Sequence, residues 1–587
     1  MEVLKFILTH RWFQYIWIGL GILMIGMSTD VLLTKPFWGH APLIWLLGIW
    51  LFITGILWRR ITRSRESLIR FLLSTLSGLL LALAFPVSPL TPLIFTAFIP
   101  LLFLFKYYDR PSYFTFFSHL YNAFFLWNII TTYWVLNTSF APGIFANVVN
   151  AGLMTIPWLL FKKVNNRFSF RTASWALIAF WIAFEYIHLQ WEISWPWLNI
   201  GNVFAYQIEW IQWYEWTGVF GGSLWIWAVN FYLFRILSEN INSRKSWIKL
   251  AVAVGFPIVL SLAMLELYEE KGTPVEVVIV QPNYEPHYEK FDVPQSEQIR
   301  KMVELASREV TDSTDFLLFP ETVLHRVRLN EIYRHPGIKA FVKISEQFPD
   351  LNLISGISSF RVYPLDSLAN RATRTHIDSR GDTTYWDVQN NAIWMKNGVV
   401  REMYFKSKLV PGAEIFPYRE WLPFLKPIVD QLGGSLEGHA IQPEREALGE
   451  GKRKVAPVIC YESVYGAYLG EYVEEGANGI FIMTNDGWWD DTPGHLQHLH
   501  FARLRAIEQR KSIARAANTG ISCFIDQKGY IRQPTMYEQD AVIKGKILLN
   551  DHKTYYNRWK DYIAYAAGLF SIFFLIASLL PGFYKKI

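Results

Sequence analysis

Three residues of this chain, a glutamate, a lysine and a cysteine, could together perform acyl transfer. Glu321 lies in the segment LLFPETV, Lys406 in YFKSKLVP and Cys460 in VAPVICYES. A cysteine can act as the nucleophile, a carboxylate can take the thiol proton, and an ammonium can stabilise an oxyanion. The three residue types therefore form a complete set for acyl transfer.

Each of these residues also has a purely structural interpretation. Cys460 ends the apolar run VAPVI and could be a small core residue. Glu321 ends the run DFLLFP, where partial desolvation suits a base, but PETV could instead begin a helix with an N-terminal charge. Lys408 is an alternative cation to Lys406, and Glu414 in PGAEIFP could hold either the lysine or the base.

Short β-rich runs alternate with helical patterns between residues 274 and 549. The clearest helical patterns are EQIRKMVELASREV and HLQHLHFARLRAIEQRKSIARAA. This alternation indicates an α/β sheet that is buried on both faces. Side chains at the carboxyl ends of such strands meet in one crevice, so we expect Glu321, Lys406 and Cys460 to lie together. The predicted strands lie in VEVVIVQ, FLLFPE, LNLISGISSF, NNAIWMK, KVAPVICYE, GIFIMTND and ISCFIDQKGYI.

The rest of the chain has the composition of a membrane protein. Its 587 residues are 17% aromatic and 18% charged, with a mean hydropathy of +0.16. Apolar stretches of nearly bilayer length recur before and after the polar block. The predicted spans are 12–33, 41–58, 68–88, 91–106, 114–137, 143–161, 173–190, 217–236, 247–267 and 559–582. The predicted domains are an extra N-terminal pair of spans (1–66), a membrane domain of about seven further spans (67–268), a catalytic domain (269–558), and a C-terminal span with a short cytoplasmic tail (559–587).

The loop charges predict how the chain is oriented. If the N-terminus is inside, nearly all cationic loop residues fall on inside loops, and the short outside loops contain only Lys35. This asymmetry predicts that residues 269–558 lie outside the cytoplasm. It also explains the net charge of +6 without an acidic partner, and no basic stripe indicates nucleic-acid binding.

The other chemically active residue types have weaker patterns. The two cysteines, Cys460 and Cys523, exclude a disulfide scaffold, and Cys523 is expected in a buried strand. The histidines of GHLQHLH lack the HExxH spacing, and TNDGWWDD lacks the features of a calcium loop, so no metal site is predicted. We expect satisfied histidines at a helix start and aspartates in a turn or pocket wall. These residues are His495, His498, His500, Asp486, Asp490 and Asp491.

The predicted outside loop at 188–216 is dense in tryptophan and tyrosine. Aromatic rings of this kind commonly form a belt at the membrane interface. They could also form a hydrophobic floor beneath the active site that admits acyl chains. The two interpretations are compatible.

The triad motifs resemble those of the nitrilase (carbon–nitrogen hydrolase) superfamily. The longer segments YFKSKLVPGAEIFP, VICYES and TNDGWWDDTPGHLQHLHFARLRAIEQRKSIARAANTGIS are similar to those of the apolipoprotein N-acyltransferase family, as is EISWPWLNIGN. The resemblance covers about residue 68 to the C-terminus. It implies a multi-pass α-helical membrane domain and a periplasmic nitrilase-like α-β-β-α sandwich.

The resemblance also implies roles for individual residues. Cys460 would be the nucleophile, Glu321 the general base and Lys406 the cation that stabilises the oxyanion. The backbone N–H of Tyr461 would assist Lys406, and Asn391 would be a pocket asparagine. The supporting glutamates implied by the resemblance are Glu414 and Glu462.

The implied reaction is ping-pong acyl transfer without a metal or diffusible cofactor. Cys460 would take an acyl chain from a phospholipid, expected to be phosphatidylethanolamine, as a thioester. The α-amine of the S-diacylglyceryl cysteine at a lipoprotein's N-terminus would then accept it. We expect a monomer in the bacterial inner membrane with its catalytic domain in the periplasm.

The sequence departs from the family pattern in three places. VPGAE replaces VPFGE at Glu414, Phe291 stands where a tryptophan is usual, and about 60 N-terminal residues add two spans. Two other functions remain open. One is a membrane-anchored amidase or nitrilase acting on a small soluble amide, although a simple tether needs one span. The other is a transporter or binding protein with an inactive domain, for which Glu185 would be an intramembrane charge.

Overall fold

The N-terminal part of the chain is helical and the C-terminal part contains two β-sheets. The computed structural model describes residues 11–35, 38–107, 112–239, 241, 243–287, 289–363, 370–421 and 437–580. The longer helices are α1 (Arg11–Thr34), α2 (Ala41–Ile56), α3 (Arg65–Ala84), α4 (Ile99–Tyr107), α5 (Tyr113–Thr132), α6 (Ile156–Asn165), α7 (Phe170–Gln190), α8 (Tyr214–Ser238), α9 (Arg244–Leu267), α10 (Gln295–Glu309), α11 (Pro336–Gln347), α12 (Gly466–Glu474), α13 (Pro493–Gln509) and α14 (Tyr562–Leu579).

Within the described residues, seven helical segments are long and apolar enough to cross a membrane. They are Arg11–Thr34, Arg65–Ala84, Phe140–Asn165, Phe170–Gln190, Tyr214–Ser238, Arg244–Leu267 and Tyr562–Leu579. Two of the other predicted spans form shorter apolar helices, Ala41–Ile56 and Thr91–Tyr107. The remaining predicted span forms α5, which has 20 residues. Each predicted span is therefore helical where the structure describes it, although the count of ten spans stays a prediction.

The predicted span at 143–161 is not one regular helix. Residues 140–144 form an α-helical turn, 145–149 form a π-helical turn, and a further short turn precedes α6. The break leaves Asn147 facing the protein interior, where its amide donates to the carbonyl oxygens of Thr132 and Gly143. Side-chain amides of this kind satisfy backbone groups that a broken helix frees.

The helical hairpin α1–α2 packs on the membrane domain through small and aromatic residues. A Cβ atom at Gly21 would lie 2.7 Å from the backbone nitrogen of Phe52, so the glycine permits the close approach of the two helices. Trp50 of α2 donates through Nε1 to Asn122 Oδ1 on α5 over 2.8 Å. At the tip of the hairpin, the Gly39 N–H donates to Asp490 of the C-terminal part.

Glu185 has internal partners that account for its burial. Its Oε1 accepts from Trp181 Nε1 and from the Ile200 N–H, and its Oε2 accepts from the Ser223 hydroxyl. The residue therefore ties α7 to the following loop and to α8. This structural role removes the observation that favoured a transporter.

The C-terminal part is a four-layered α-β-β-α sandwich, as the family resemblance implied. The first sheet has eight strands in the order β13-β1-β2-β4-β6-β5, with β3 beside β4 and β7 beside β6. The second sheet has the order β12-β11-β10-β9-β8. The strands are β1 (Thr273–Gln281), β2 (Phe316–Leu318), β3 (Leu324–Arg328), β4 (Asn352–Tyr363), β5 (Arg374–Ile377), β6 (Thr383–Lys396), β7 (Val399–Phe405), β8 (Val455–Ile459), β9 (Gly479–Thr484), β10 (Ile513–Ala517), β11 (Cys523–Ile525), β12 (Ile531–Arg532) and β13 (Ala541–Leu549).

Alternate residues of the strands face different layers, which explains why the runs are apolar throughout. Ile279 and Trp394 of the first sheet pack against Phe481 of the second sheet in the core between the sheets. Val278 and Ile393, one residue away in each strand, pack instead in the outer core beneath α10 and α11. Helices α12 and α13 cover the other face of the second sheet.

A buried polar contact joins the sandwich to the membrane domain. Arg510, at the end of α13, forms an ion pair with Glu215 of α8 and donates to the Gln212 side chain over 2.7 Å. Arg503 donates to the Ala205 carbonyl oxygen in the aromatic loop over 3.2 Å. These contacts fix the end of the sandwich that lies on the helices.

Candidate active site

Glu321, Lys406 and Cys460 lie at the carboxyl ends of three strands, as the sequence predicted. Glu321 follows β2, Lys406 directly follows β7 of the same sheet, and Cys460 directly follows β8 of the second sheet. The three residues are 6%, 1% and 8% exposed, so the site is a buried crevice between the sheets.

Lys406 is held between two carboxylates. Its Nζ lies 2.8 Å from Glu414 Oε1 and 3.3 Å from Glu321 Oε1. Burial lowers the pKa of Lys406, but Glu414 and Glu321 outweigh it and raise the pKa above its ordinary value. Lys406 therefore remains an ammonium and acts as a fixed positive charge.

Glu414 is the anchor of this cluster. Its Oε2 accepts from the Val410 N–H over 2.9 Å, and its Oε1 accepts from Lys406. Burial raises the pKa of Glu414, but Lys406 more than offsets this effect, so the pKa lies below its ordinary value. Lys408, the alternative cation, donates instead to the Leu189 carbonyl oxygen in the membrane domain.

Asn390 is the asparagine whose side chain contacts Glu321 and Glu414, and the role expected for Asn391 stays a prediction. The Asn390 side chain donates to Glu321 Oε1 over 2.8 Å and to Glu414 Oε1 over 3.4 Å. Asn391 accepts from the Ser359 hydroxyl over 2.6 Å. Successive residues of β6 point to opposite faces of the sheet, so Asn390 faces the crevice while Asn391 faces away from it.

Cys460 has an unusual backbone conformation for its residue type. Its φ of +48° lies in the left-handed region, at the point where β8 turns into a short 3₁₀ helix. Burial, then the charge of Glu321, raises the pKa of the thiol, while Lys406 and a hydrogen bond with Thr484 oppose the rise. The raised pKa favours the neutral thiol over the thiolate. Both Cys460 and Cys523 are free of disulfide bonds.

Glu462 joins the strand that bears Lys406 to the strand that bears Cys460. Its Oε1 accepts from the Ser407 N–H and the Tyr404 hydroxyl, each over 2.8 Å, and its Oε2 accepts from the Ile459 N–H over 3.0 Å. Burial raises the pKa of Glu462, and these donors oppose the rise. Glu462 positions both segments and makes no hydrogen bond to the triad side chains.

Tyr461 lies on the aromatic loop of the membrane domain. Its hydroxyl donates to the Ser194 carbonyl oxygen over 2.7 Å, and its ring stacks 6.5 Å from that of Trp197. Because Tyr461 is in the first turn of its 3₁₀ helix, its backbone N–H has no acceptor within that helix. The aromatic loop therefore contacts the segment that carries Cys460, and a role of this loop in admitting acyl chains stays a prediction.

A buried polar network beside Cys460 had only a weak signal in the sequence. Asp486 accepts from Arg515 over 2.6 Å and lies 3.0 Å from His498 Nδ1. His498 Nε2 lies 2.8 Å from the Ser463 hydroxyl and 3.2 Å from the Cys460 carbonyl oxygen. Burial raises the pKa of Asp486, but Arg515 and His498 lower it well below its usual range. The network holds the Cys460 turn in place, and the described residues contain no group of side chains that could hold a metal ion.

Two family models and several known proteins match this chain. A family model described as the apolipoprotein N-acyltransferase N-terminal domain matches residues 77–232, and one described as carbon–nitrogen hydrolase matches residues 277–556. The apolipoprotein N-acyltransferase of Chlorobaculum tepidum is 27% identical over 529 residues, which are 87% of this chain and 96% of that protein. The chain belongs to the apolipoprotein N-acyltransferase family.

A second apolipoprotein N-acyltransferase also matches most of the chain. The apolipoprotein N-acyltransferase of Geobacter metallireducens is 28% identical over 528 residues, which are 84% of this chain and 92% of that protein. The structure of a carbon–nitrogen hydrolase from Helicobacter pylori aligns with 49% of this chain and 94% of its own, at 10% identity and a TM-score of 0.34. In the present chain α1 and α2 precede both family matches.

Proposed function

We propose that this chain transfers a fatty acyl chain from a phospholipid to the N-terminal amine of the S-diacylglyceryl cysteine of lipoproteins. The observation that carries the proposal is the cluster in which Lys406 binds both Glu321 and Glu414 in the crevice that contains Cys460. The names and length of the matching relatives support the substrate class. Membership of the family makes the chain an acyltransferase.

The first half-reaction forms a thioester. Glu321 takes the proton of the Cys460 thiol, and the thiolate attacks the carbonyl carbon of a phospholipid ester. The negative charge on the carbonyl oxygen is stabilised by Lys406 and by the Tyr461 N–H. When the ester bond breaks, Glu321 returns the proton to the leaving oxygen, and a lysophospholipid departs.

In the second half-reaction the amine of the lipoprotein is the nucleophile and the Cys460 sulfur is the leaving group. The α-amine of the diacylglyceryl cysteine attacks the thioester carbonyl carbon, and Glu321 takes a proton from the amine. The carbon–sulfur bond breaks, an amide forms, and the proton returns to Cys460. Because water would hydrolyse the thioester, the burial of Cys460 and the aromatic loop favour transfer over hydrolysis.

The same proposal includes the location of the site. Nearly all loop cations fall on one predicted side of the membrane, which supports a catalytic domain on the outer face of the bacterial inner membrane. Phosphatidylethanolamine is the proposed donor, and the proposed functional unit is a monomer. Both substrates would then reach the crevice by diffusion within the bilayer.

Intact mass spectrometry tests the thioester half-reaction. The purified chain and its Cys460→Ala variant are incubated with phosphatidylethanolamine. We expect one fatty-acyl adduct on the wild-type chain that hydroxylamine removes and that the variant lacks. If lipid binds but no adduct forms, the donor assignment is wrong and an amidase with a soluble substrate becomes the better account.

A further inference from the structure

Lys290 is a second buried ammonium beside the triad. It lies in the loop between β1 and α10, and 4% of its surface is exposed. Its Nζ donates to Thr322 Oγ1 over 2.6 Å, and Thr322 directly follows Glu321. Lys290 is therefore anchored on the segment that carries the proposed base.

The ammonium of Lys290 has donors that the protein does not use. A lysine ammonium offers three N–H groups, and within the described part of the chain Thr322 is its one hydrogen-bond partner. No carboxylate in those residues forms an ion pair with it, whereas Lys406 has two. Two donors of Lys290 thus remain for a ligand.

The loop around Lys290 is built to keep the residue in place. The Lys290 N–H donates to the Glu285 carbonyl oxygen, and the Lys290 carbonyl oxygen accepts from the Gln298 side chain over 2.8 Å. Phe291, the next residue, is 67% exposed. An exposed apolar ring therefore directly follows the buried lysine in the chain.

The electrostatics of the site favour an anionic ligand at this position. Burial lowers the pKa of Lys290 to about 8, and the charge of Glu321 opposes the fall, so the ammonium form predominates at neutral pH. A buried cation that forms no ion pair is stabilised when an anion joins it. The phosphodiester is the group of a phospholipid donor that carries a fixed negative charge, and only a glycerol unit separates it from the reacting ester.

We propose that Lys290 forms a subsite for the phosphodiester of the acyl donor, with Thr322 holding its ammonium in position. This inference rests on the proposed function, since it concerns the donor of the same reaction. It makes Lys290 a residue that binds the donor and selects phospholipids over uncharged acyl glycerols. The role differs from that of Lys406, which acts at the reacting carbonyl.

Steady-state acylation by the full chain in detergent tests the subsite. Lys290→Met removes the charge with little change in size, Lys290→Arg retains it, and Lys343→Met on the exposed face of α11 is the matched control. We expect Lys290→Met to raise the KM for phosphatidylethanolamine at least tenfold and to change the saturated rate less than threefold. Lys343→Met should remain within threefold of the wild type in both quantities, and Lys290→Arg, which keeps the charge, should give a KM below that of Lys290→Met.

Two results would overturn the subsite. One is a fall in the saturated rate at unchanged KM, which would assign Lys290 to the reacting charges. The other is no change in either quantity. If Lys290→Met does not fold, Thr322→Val removes the hydroxyl that holds Nζ and should raise KM in the same direction. Failure of the wild-type chain to form a thioester would instead refute the proposed function itself.

Competition separates the two possible sources of a phosphate group. Glycerophosphoethanolamine carries the phosphodiester of the donor, whereas inorganic phosphate carries only the charge. We expect the phosphodiester to compete with the donor in the wild-type chain, and at least tenfold less well in Lys290→Met. Equal or stronger competition by inorganic phosphate would assign the site to free phosphate and contradict the donor subsite.

Discussion

Replacing Glu414 by glutamine tests whether the site depends on a lysine shared by two carboxylates. The glutamine can keep one oxygen near Lys406, but it loses the negative charge and one acceptor. The Val410 N–H, which now donates to Glu414 Oε2 over 2.9 Å, would lose its carboxylate partner, at about 1–3 kcal/mol. Loss of one charge from a buried ion pair lowers the free energy of unfolding further, by up to about 3–5 kcal/mol when the pair is broken completely.

We therefore expect Glu414→Gln to destabilise the chain by about 3 kcal/mol. For a domain of this size, roughly 2 °C per kcal/mol gives a fall of about 6 °C in the unfolding temperature. Acylation should fall at least about tenfold, because Lys406 then pairs with Glu321 alone and weakens it as a base. Thermal unfolding in detergent and acyl-adduct formation measure the two effects, and Glu444→Gln, at an exposed position, is the control.

The stabilising effect of Glu414 should depend on pH in a definite direction. Because the pKa of Glu414 lies below its ordinary value of 4.5, its stabilising contribution is complete above that pH and is lost as the pH falls through the lower value. The difference in unfolding temperature between the wild-type chain and Glu414→Gln should thus shrink as the pH falls below about 4.5. Equal unfolding temperatures for the two proteins at neutral pH would refute the reasoning.

Four further substitutions test other parts of the site. Asn390→Ala should lower the acylation rate by roughly tenfold or more, because it removes a hydrogen-bond donor to Glu321. Asn391→Ala should leave the rate within about threefold. A larger loss of rate in Asn391→Ala than in Asn390→Ala would contradict the assignment of the two side chains to opposite faces of the strand. Asp486→Asn should destabilise the chain by about 3–5 kcal/mol in thermal unfolding, since it leaves Arg515 buried without its counter-charge, and an unchanged unfolding temperature would rule this out. Glu462→Gln should lower the acylation rate and leave the donor KM unchanged, because Glu462 positions the triad strands without touching the lipid; a change confined to KM would oppose that role.

The sequence predicted the positions of Glu321, Lys406 and Cys460 at strand ends because burial and strand ends leave a local signal, while their catalytic roles stay predictions. The runs DFLLFP and VAPVI are apolar on both faces, and a polar residue at the end of such a run has to lie at the edge of a sheet. The family resemblance supplied the fold and the roles. The sequence did not distinguish the two asparagines of NNAIWM. Which side chains of a strand point into the site depends on the strand's register, and the sequence alone does not determine that register.

Lys290 had no sequence signal as a site residue. It lies in YEPHYEKFDVPQ, a polar segment whose composition is typical of a solvated loop. Its burial arises only when this loop folds over Thr322, far away in the chain. The break at residues 145–149 was missed for a related reason, since a π-helical turn keeps the apolar composition of a span.

The most direct test of the central claim follows one acyl chain through both half-reactions. The chain is first acylated with phosphatidylethanolamine that carries an isotopically labelled fatty acid, and is then freed of donor and mixed with a diacylglyceryl lipopeptide. We expect the label to leave the protein and appear as an amide on the lipopeptide at equal yield, and Cys460→Ala to show neither step. Release of the label as free fatty acid, with none on the lipopeptide, would contradict the acyltransferase mechanism through Cys460.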